Sequence, residues 1–274
     1  MKQASKLYYL IDLMDDESGE VRSEILNQLA GYGPSLEYDL QEYNGVLDSK
    51  KMELLNPIIN SNRQTWLAKT WSSWMMLDDP YDQIETALNL ISKFHYGIYF
   101  NPELPYLLDE LTEEFKNRIP YGDELDLSHF LFQEKGIKGA RDDYYNPFNS
   151  NAIYTLKEKK GLPITLCLIY ILIGNRLGLN INACNFPGHF LARIDSAEET
   201  LYIDCYNGGK ILYESDIQNL AGDSYESLFD IIKSEIDPYI IIRRILTNLI
   251  NSYSVLNDAG VNALFQELLD RTHP

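Results

Sequence analysis

Residues 161–178 read G-L-P-I-T-L-C-L-I-Y-I-L-I-G-N-R-L-G, a run with a clear beginning, a clear end and no polar face. Pro163 suits the first helical position, where its missing N–H costs nothing, and Gly178 suits the residue just past a helix end. The run predicts a helix over about 163–177. Ile164, Leu166, Leu168, Ile169, Ile171, Leu172, Ile173 and Leu177 are apolar almost all round, as in a central helix covered on every side. Cys167 lies one turn from its start.

Downstream the hydrophobic period changes to two. L-N-I-N-A-C-N-F (179–186), H-F-L-A-R-I (189–194) and L-Y-I-D-C-Y (201–206) are separated by Pro187-Gly188 and by the acidic turn D-S-A-E-E, which predicts three antiparallel strands. If the second and third strands pair around Asp195–Glu199, residues whose numbers add to 393 or 394 face one another, and His189 meets Asp204. Cys167, His189 and Asp204 then follow in the order of a nucleophile, its base and the base's orienter, at intervals of 22 and 15 residues. A thiol needs an imidazole to become a thiolate, and the imidazole needs a carboxylate on its other nitrogen to fix its tautomer. Taken singly, each has a plainer reading. Cys167 is a small buried hydrophobe, His189 a structural histidine and Asp204 the residue that starts a turn.

Upstream, from the N-terminus to about residue 118, the apolar spacing is helical. Leu7, Leu10, Ile11 and Met14 form one stripe, and Val21, Ile25 and Leu29 form another after the break D-D-E-S-G-E, a pair that resembles a HEAT-type hairpin. Trp66 and Trp74, eight residues apart, fall on one face of a common helix as packing residues. Helical stretches at Gln83–Lys93 and Tyr106–Asn117 are amphipathic and are expected to pack on the domain C-terminal to them. After Ile119-Pro120 come a short apolar run, the polar and aromatic loop Y-Y-N-P-F-N-S (144–150) and a short helix closed by Gly161. Near the C-terminus Ile240, Ile241, Ile242, Ile245, Leu246 and Leu249 form a strongly apolar stripe.

Composition narrows the function classes. With 41 acidic against 23 basic residues in 274, a formal charge of -18, the surface repels nucleic acid and anionic lipid. The start of the chain turns acidic before a signal-peptide core forms, and no apolar run is long enough to span a bilayer, so a cytoplasmic protein without a membrane segment is expected. Cys167, Cys184 and Cys205 are expected to be reduced thiols. With His189 they offer four metal donors, but the intervals 17, 5 and 16 contain no paired-knuckle spacing, so no metal is expected. No phosphate-binding glycine loop is present, and no cofactor is implied.

The runs Y-Y-N-P-F-N-S, K-G-L-P-I-T-L-C-L-I-Y, L-G-L-N, N-F-P-G-H-F-L-A-R and Y-I-D-C-Y-N-G-G, in that order, resemble the SirB-type branch of the transglutaminase-like superfamily. The resemblance covers residues from about 83 to 215. The segment D-P-Y-I-I-I-R-R-I-L-T-N-L-I-N-S-Y is similar to the helical, tetratricopeptide-like tail of the same proteins. The resemblance implies an α+β chain with a papain-like transglutaminase core, a central helix packed on an antiparallel sheet. It also implies three regions: a helical N-terminal region over 1–80, the core over 81–215, and a helical tail over 216–274. It makes Cys167 the nucleophile, His189 the base and Asp204 the orienter. Members of this branch often carry another residue at the cysteine position; this chain keeps all three.

The implied chemistry is acyl transfer or amide hydrolysis through a thioester, of peptidase, amidase or transglutaminase type. An oxyanion hole would draw on the Cys167 N–H and on Asn149, Asn146 or Asn185, each of which reads equally well as a loop-capping residue. The rival reading is a noncatalytic protein-interaction scaffold on a degenerate core of this kind. Either way, a protein or peptide is the expected substrate or partner.

Overall fold

The chain, described by a computed structural model over residues 2–43, 47–186, 188–196 and 199–273, is built mainly of helices with two small sheets. By its internal contacts it divides into two compact units, residues 1–71 with 96–101 and residues 72–95 with 102–274.

In the first unit, helices α1 (Lys2–Leu13), α2 (Gly19–Ala30), α3 (Ser35–Leu40) and α4 (Ser49–Thr70) enclose their own core. Leu7, Leu10, Ile11 and Met14 pack there with Ile25, Leu29, Leu36, Leu40, Leu55 and Ile59. Val21 does not join them. It sits in the first turn of α2, where the Ser18 side chain accepts its N–H, and stays exposed. Trp66 and Trp74 do not share a helix either, because α4 ends at Thr70 and the chain tightens into a 3₁₀ turn over Trp71–Met76. That turn buries Trp71 and Trp74 completely.

The second unit begins with α5 (Pro80–Tyr96), α6 (Leu104–Arg118) and α7 (Glu124–His129), which runs into a π-helical turn over Phe130–Glu134. Strand β1 (Lys138–Gly139) pairs in parallel with β2 (Lys160–Gly161) on either side of α8 (Ala152–Glu158). Lys159, in the left-handed conformation at φ 58°, ends α8, so Gly161 is freed to join the strand pair rather than to close the helix. Then comes α9 (Pro163–Leu177), with the bounds its proline and glycine indicate. Gly178 at φ 72° caps it: its N–H reaches Asn175 O at 3.1 Å and that of Leu179 reaches Gly174 O at 2.9 Å, a Schellman closure. Every residue from Ile164 to Gly174 is buried. Helices α6, α7 and α8 and the first two strands of the larger sheet all pack on α9.

That sheet consists of β3 (Ile181–Cys184), β4 (Leu191–Asp195), β5 (Thr200–Asp204) and β6 (Lys210–Leu212), antiparallel in the order β3-β4-β5-β6. The fourth strand follows N-G-G and had no periodicity of its own. The pairing of β4 with β5 differs from the expected register, since Ala192 faces Ile203 and Arg193 faces Tyr202, numbers that add to 395. The cause lies in the turn. Ser196 N–H and Oγ–H both bond the Glu199 carbonyl, at 3.2 and 2.8 Å, which sets residue 196 opposite residue 199 and so fixes the sum at 395.

After the sheet come α10 (Glu214–Ala221), α11 (Tyr225–Lys233), α12 (Pro238–Val255) and α13 (Ala259–Arg271). The apolar stripe of α12 is buried at Ile241, Ile242, Ile245, Leu246 and Leu249, and Ile240 is left exposed. Helices α12 and α13 pack on each other through Tyr253 and Phe265, stacked at 5.6 Å, and Phe265 meets Phe94 of α5 edge-on at 5.5 Å. Among the described residues no helix is long and apolar enough to cross a membrane.

One close approach ties β1 to the end of the sheet. A Cβ on Gly139 would stand 2.5 Å from the ring of Tyr206, whose hydroxyl donates to the Ala140 carbonyl at 2.9 Å. Gly139→Ala is expected to lower stability by about 1–3 kcal/mol, because a ring anchored at its hydroxyl cannot move aside without losing that bond. Chemical denaturation of the variant beside the parent checks this, and an unchanged midpoint would contradict it.

Candidate active site

The start of α9 is held by the loop before it. Leu162 N–H and Thr165 Oγ1–H both donate to the Asn149 carbonyl, at 2.9 and 3.1 Å. One turn further on, Cys167 is fully buried and its thiol donates to the Phe190 carbonyl at 3.4 Å. The Cys205 thiol, also fully buried, bonds the Ile203 carbonyl at 3.7 Å and is close enough to Cys167 for each to act on the other's ionisation.

His189 reaches the same neighbourhood from the sheet side. Gly188 adopts φ 75°, and His189 N–H closes back onto the Phe186 carbonyl at 3.1 Å. His189 thus stands ahead of β4, not in it. This explains how it reaches Asp204 although the strand register differs from the one expected. Its Nε2 lies 2.9 Å from Asp204 Oδ2. A carboxylate only accepts, so Nε2 carries the hydrogen, and in the neutral ring Nδ1 is the nitrogen with the lone pair. Nδ1 makes no hydrogen bond to any described residue.

Asp204 ends β5 and is buried. Besides His189 it accepts from Asn207 N–H at 3.1 Å and from Asn207 Nδ2 at 2.7 Å, so it starts the turn Cys205–Asn207 as well as holding the imidazole. His189 and Asp204 are therefore brought together. Cys167 is linked to them through the carbonyl of Phe190, and no hydrogen bond joins Cys167 to His189 among the described residues.

The three asparagines lie in separate loop roles. Asn146 Oδ1 accepts from Phe148 N–H at 3.0 Å while its amide donates to Asp143 Oδ2 at 2.7 Å. Asn149 is buried, with its amide on the Asp143 carbonyl and its Oδ1 without a partner among the described residues. Asn185 Oδ1 accepts from Arg244. Burial pushes the Cys184 thiol up to about 12, and burial followed by the adjacent Cys167 thiol pushes Cys205 well above its ordinary value. Among the described residues no three His, Cys, Asp or Glu side chains converge as a metal site.

Two residues here carry no sequence signal. Asn207 supports Asp204 from within N-G-G, and Arg244 reaches from α12 to the Phe186 carbonyl at 3.2 Å, the acceptor that also holds the His189 N–H. Nothing in the spacing links Arg244 to a turn 58 residues away.

Residues 103–247 match a family model described as the transglutaminase-like superfamily. A UPF0162 protein of Xylella fastidiosa (strain 9a5c) is 28% identical over 206 residues, covering 70% of this chain and 72% of that protein. Its counterpart in Xylella fastidiosa (strain Temecula1 / ATCC 700964) is 33% identical over 57% of each chain. F-box only protein 21 of Homo sapiens is 28% identical over 71% of this chain, which spans 31% of that longer protein. No solved structure matches significantly.

The hydrogen bonds of the pair imply unequal costs. Asp204→Ala strips partners from a backbone N–H, an amide and an imidazole at once and is expected to cost about 2–4 kcal/mol, whereas His189→Ala, at a partly exposed position, is expected to cost under about 1.5 kcal/mol. Urea midpoints of the two variants test this, and equal or reversed losses would show that Asp204 does not organise the turn.

Proposed function

The chain belongs to the transglutaminase-like superfamily, and from that premise we propose that it is a SirB-type member with a papain-like core that works as a noncatalytic protein-interaction module. One observation carries the reading: the Cys167 sulfur is 0% exposed and directs its proton to the Phe190 carbonyl rather than to the imidazole. A nucleophile must meet both its base and the carbonyl it attacks. A thiol enclosed by α9, the Phe190 backbone and a second buried thiol meets neither. On this reading His189 and Asp204 serve the fold, holding the turns that close the two ends of β4 and β5 nearest α9. The similarity to an F-box only protein is in keeping with a partner-binding role, and the acidic surface favours a protein or peptide partner over nucleic acid.

A second reading is favoured by a specific feature, the 2.9 Å bond from His189 Nε2 to Asp204 that leaves Nδ1 open. A base in that tautomer is ready to take a proton. If Cys167 turned toward it, the thiolate would add to an amide or ester carbonyl. His189 would return the proton to the leaving group, and water or an amine would resolve the thioester.

Alkylation of the native protein by iodoacetamide at pH 6–7 separates the two. The interaction-module reading expects Cys167 to label as slowly as Cys184 and Cys205, with no change in His189→Ala. Selective, fast labelling of Cys167 that His189→Ala slows by about tenfold or more would overturn it in favour of acyl transfer, since only the thiolate reacts.

A further inference from the structure

The arginines of the second unit that carry buried side chains lie, with one exception, on carboxylates. Arg176 bonds Glu85 at 2.7 Å and Asp109 at 2.8 Å, and Arg193 bonds Asp195 at 2.9 Å. Arg244 has no carboxylate partner among the described residues. Its guanidinium lies over the Phe190 ring at 5.2 Å, and its Nη1 donates to Asn185 Oδ1 and to the Phe186 carbonyl. All these partners are neutral. Burial pulls the group below its ordinary value, and Tyr144, Cys167 and Cys184 act on it weakly in the opposite sense. In a chain with 41 acidic residues, a partly buried cation with no anion beside it is costly, because desolvation is not offset by an ion pair.

Two further donors of Arg244, Nε–H and one Nη2–H, form the side-on edge that matches a carboxylate in two parallel hydrogen bonds. That edge has no partner among the described residues, and neither nitrogen is among the fully buried atoms lacking one, so neither is wholly cut off from solvent. Because Nη1 is held by the turn that carries His189, the edge is fixed in position relative to the imidazole.

We propose that the Nε–Nη2 edge of Arg244 is a binding site for the carboxylate of a ligand that docks beside the Phe186–His189 turn. The site takes a monoanionic, planar group. A single guanidinium inside a field of net charge -18 matches one negative charge better than a phosphate dianion. The assignment goes beyond the reading above and holds whether or not Cys167 reacts.

The Arg244 Nε–H resonance of the ¹⁵N-labelled full chain, identified by its loss in Arg244→Lys and by proximity to the Phe190 ring protons, reports on the edge directly. At constant ionic strength, N-acetylglycine presents a chain-terminal carboxylate and N-acetylglutamate with both ends blocked presents a side-chain one; N-acetylglycinamide and inorganic phosphate are the comparisons. The expected result is a saturable shift of this resonance with a carboxylate and none with the amide; in Arg244→Lys, where the backbone amide resonance of His189 serves as the reporter, binding is weakened about tenfold or more, because lysine keeps the charge but loses the paired donors. The more tightly bound probe identifies the source as a chain end or as an acidic side chain. Phosphate saturating at a lower concentration than both carboxylates, or a linear, non-saturating response to all of them, would overturn the proposal. The titration is made on the parent protein, so it decides the matter even if Arg244→Lys folds poorly.

Discussion

Helix α9 has no side that tolerates water. Eleven successive residues, Ile164 to Gly174, are buried, and a helix of that kind exists only if other elements enclose it completely. Helices α6, α7 and α8 and strands β3 and β4 supply the enclosure. Its polar ends are settled separately, by the Asn149 carbonyl at the start and by Gly178 and Arg176 at the finish. The larger sheet, the 144–150 loop and α5 through Glu85 all take their places with reference to this one helix.

The same enclosure governs the chemistry open to Cys167. One full turn into a helix without an exposed face, a side chain is directed at a neighbouring element, and here that element is the backbone of Phe190. A thiol is small enough to fill such a position as a hydrophobe, which is how burial usually treats free cysteine. His189 and Asp204 escape the constraint because they stand at strand ends, where the chain emerges from the core. They therefore make polar contacts that a mid-strand pair would not: Asp204 bonds Asn207 twice while holding the imidazole. The Cys167 thiol is bonded to the Phe190 carbonyl, while His189 and Asp204 are bonded to each other.

Electrostatics act at a coarser level. The excess of acidic residues leaves most arginines paired and the surface negative. Arg244 differs because its position is set by aromatic stacking and carbonyl hydrogen bonding, interactions that orient a guanidinium without neutralising it.

The sequence by itself determined the elements whose signals are local. Pro163 and Gly178 bounded α9, the change from a helical to a two-residue period marked the first three strands of the sheet, and the stripes at 7–14 and 241–249 marked buried helix faces. The motifs in 144–207 were likewise sufficient to place the chain in the transglutaminase-like superfamily. Only the tertiary structure decided which way Cys167 points, that Trp71–Met76 leaves the α-helix, that Ser196 and Glu199 shift the hairpin register, and that Arg244 reaches the turn before His189. Periodicity reports how a residue is placed on its own element, because it depends on backbone geometry alone. Which neighbour that residue meets depends on how separate elements pack, and for Arg244 and Phe186, 58 residues apart, no local pattern carries it.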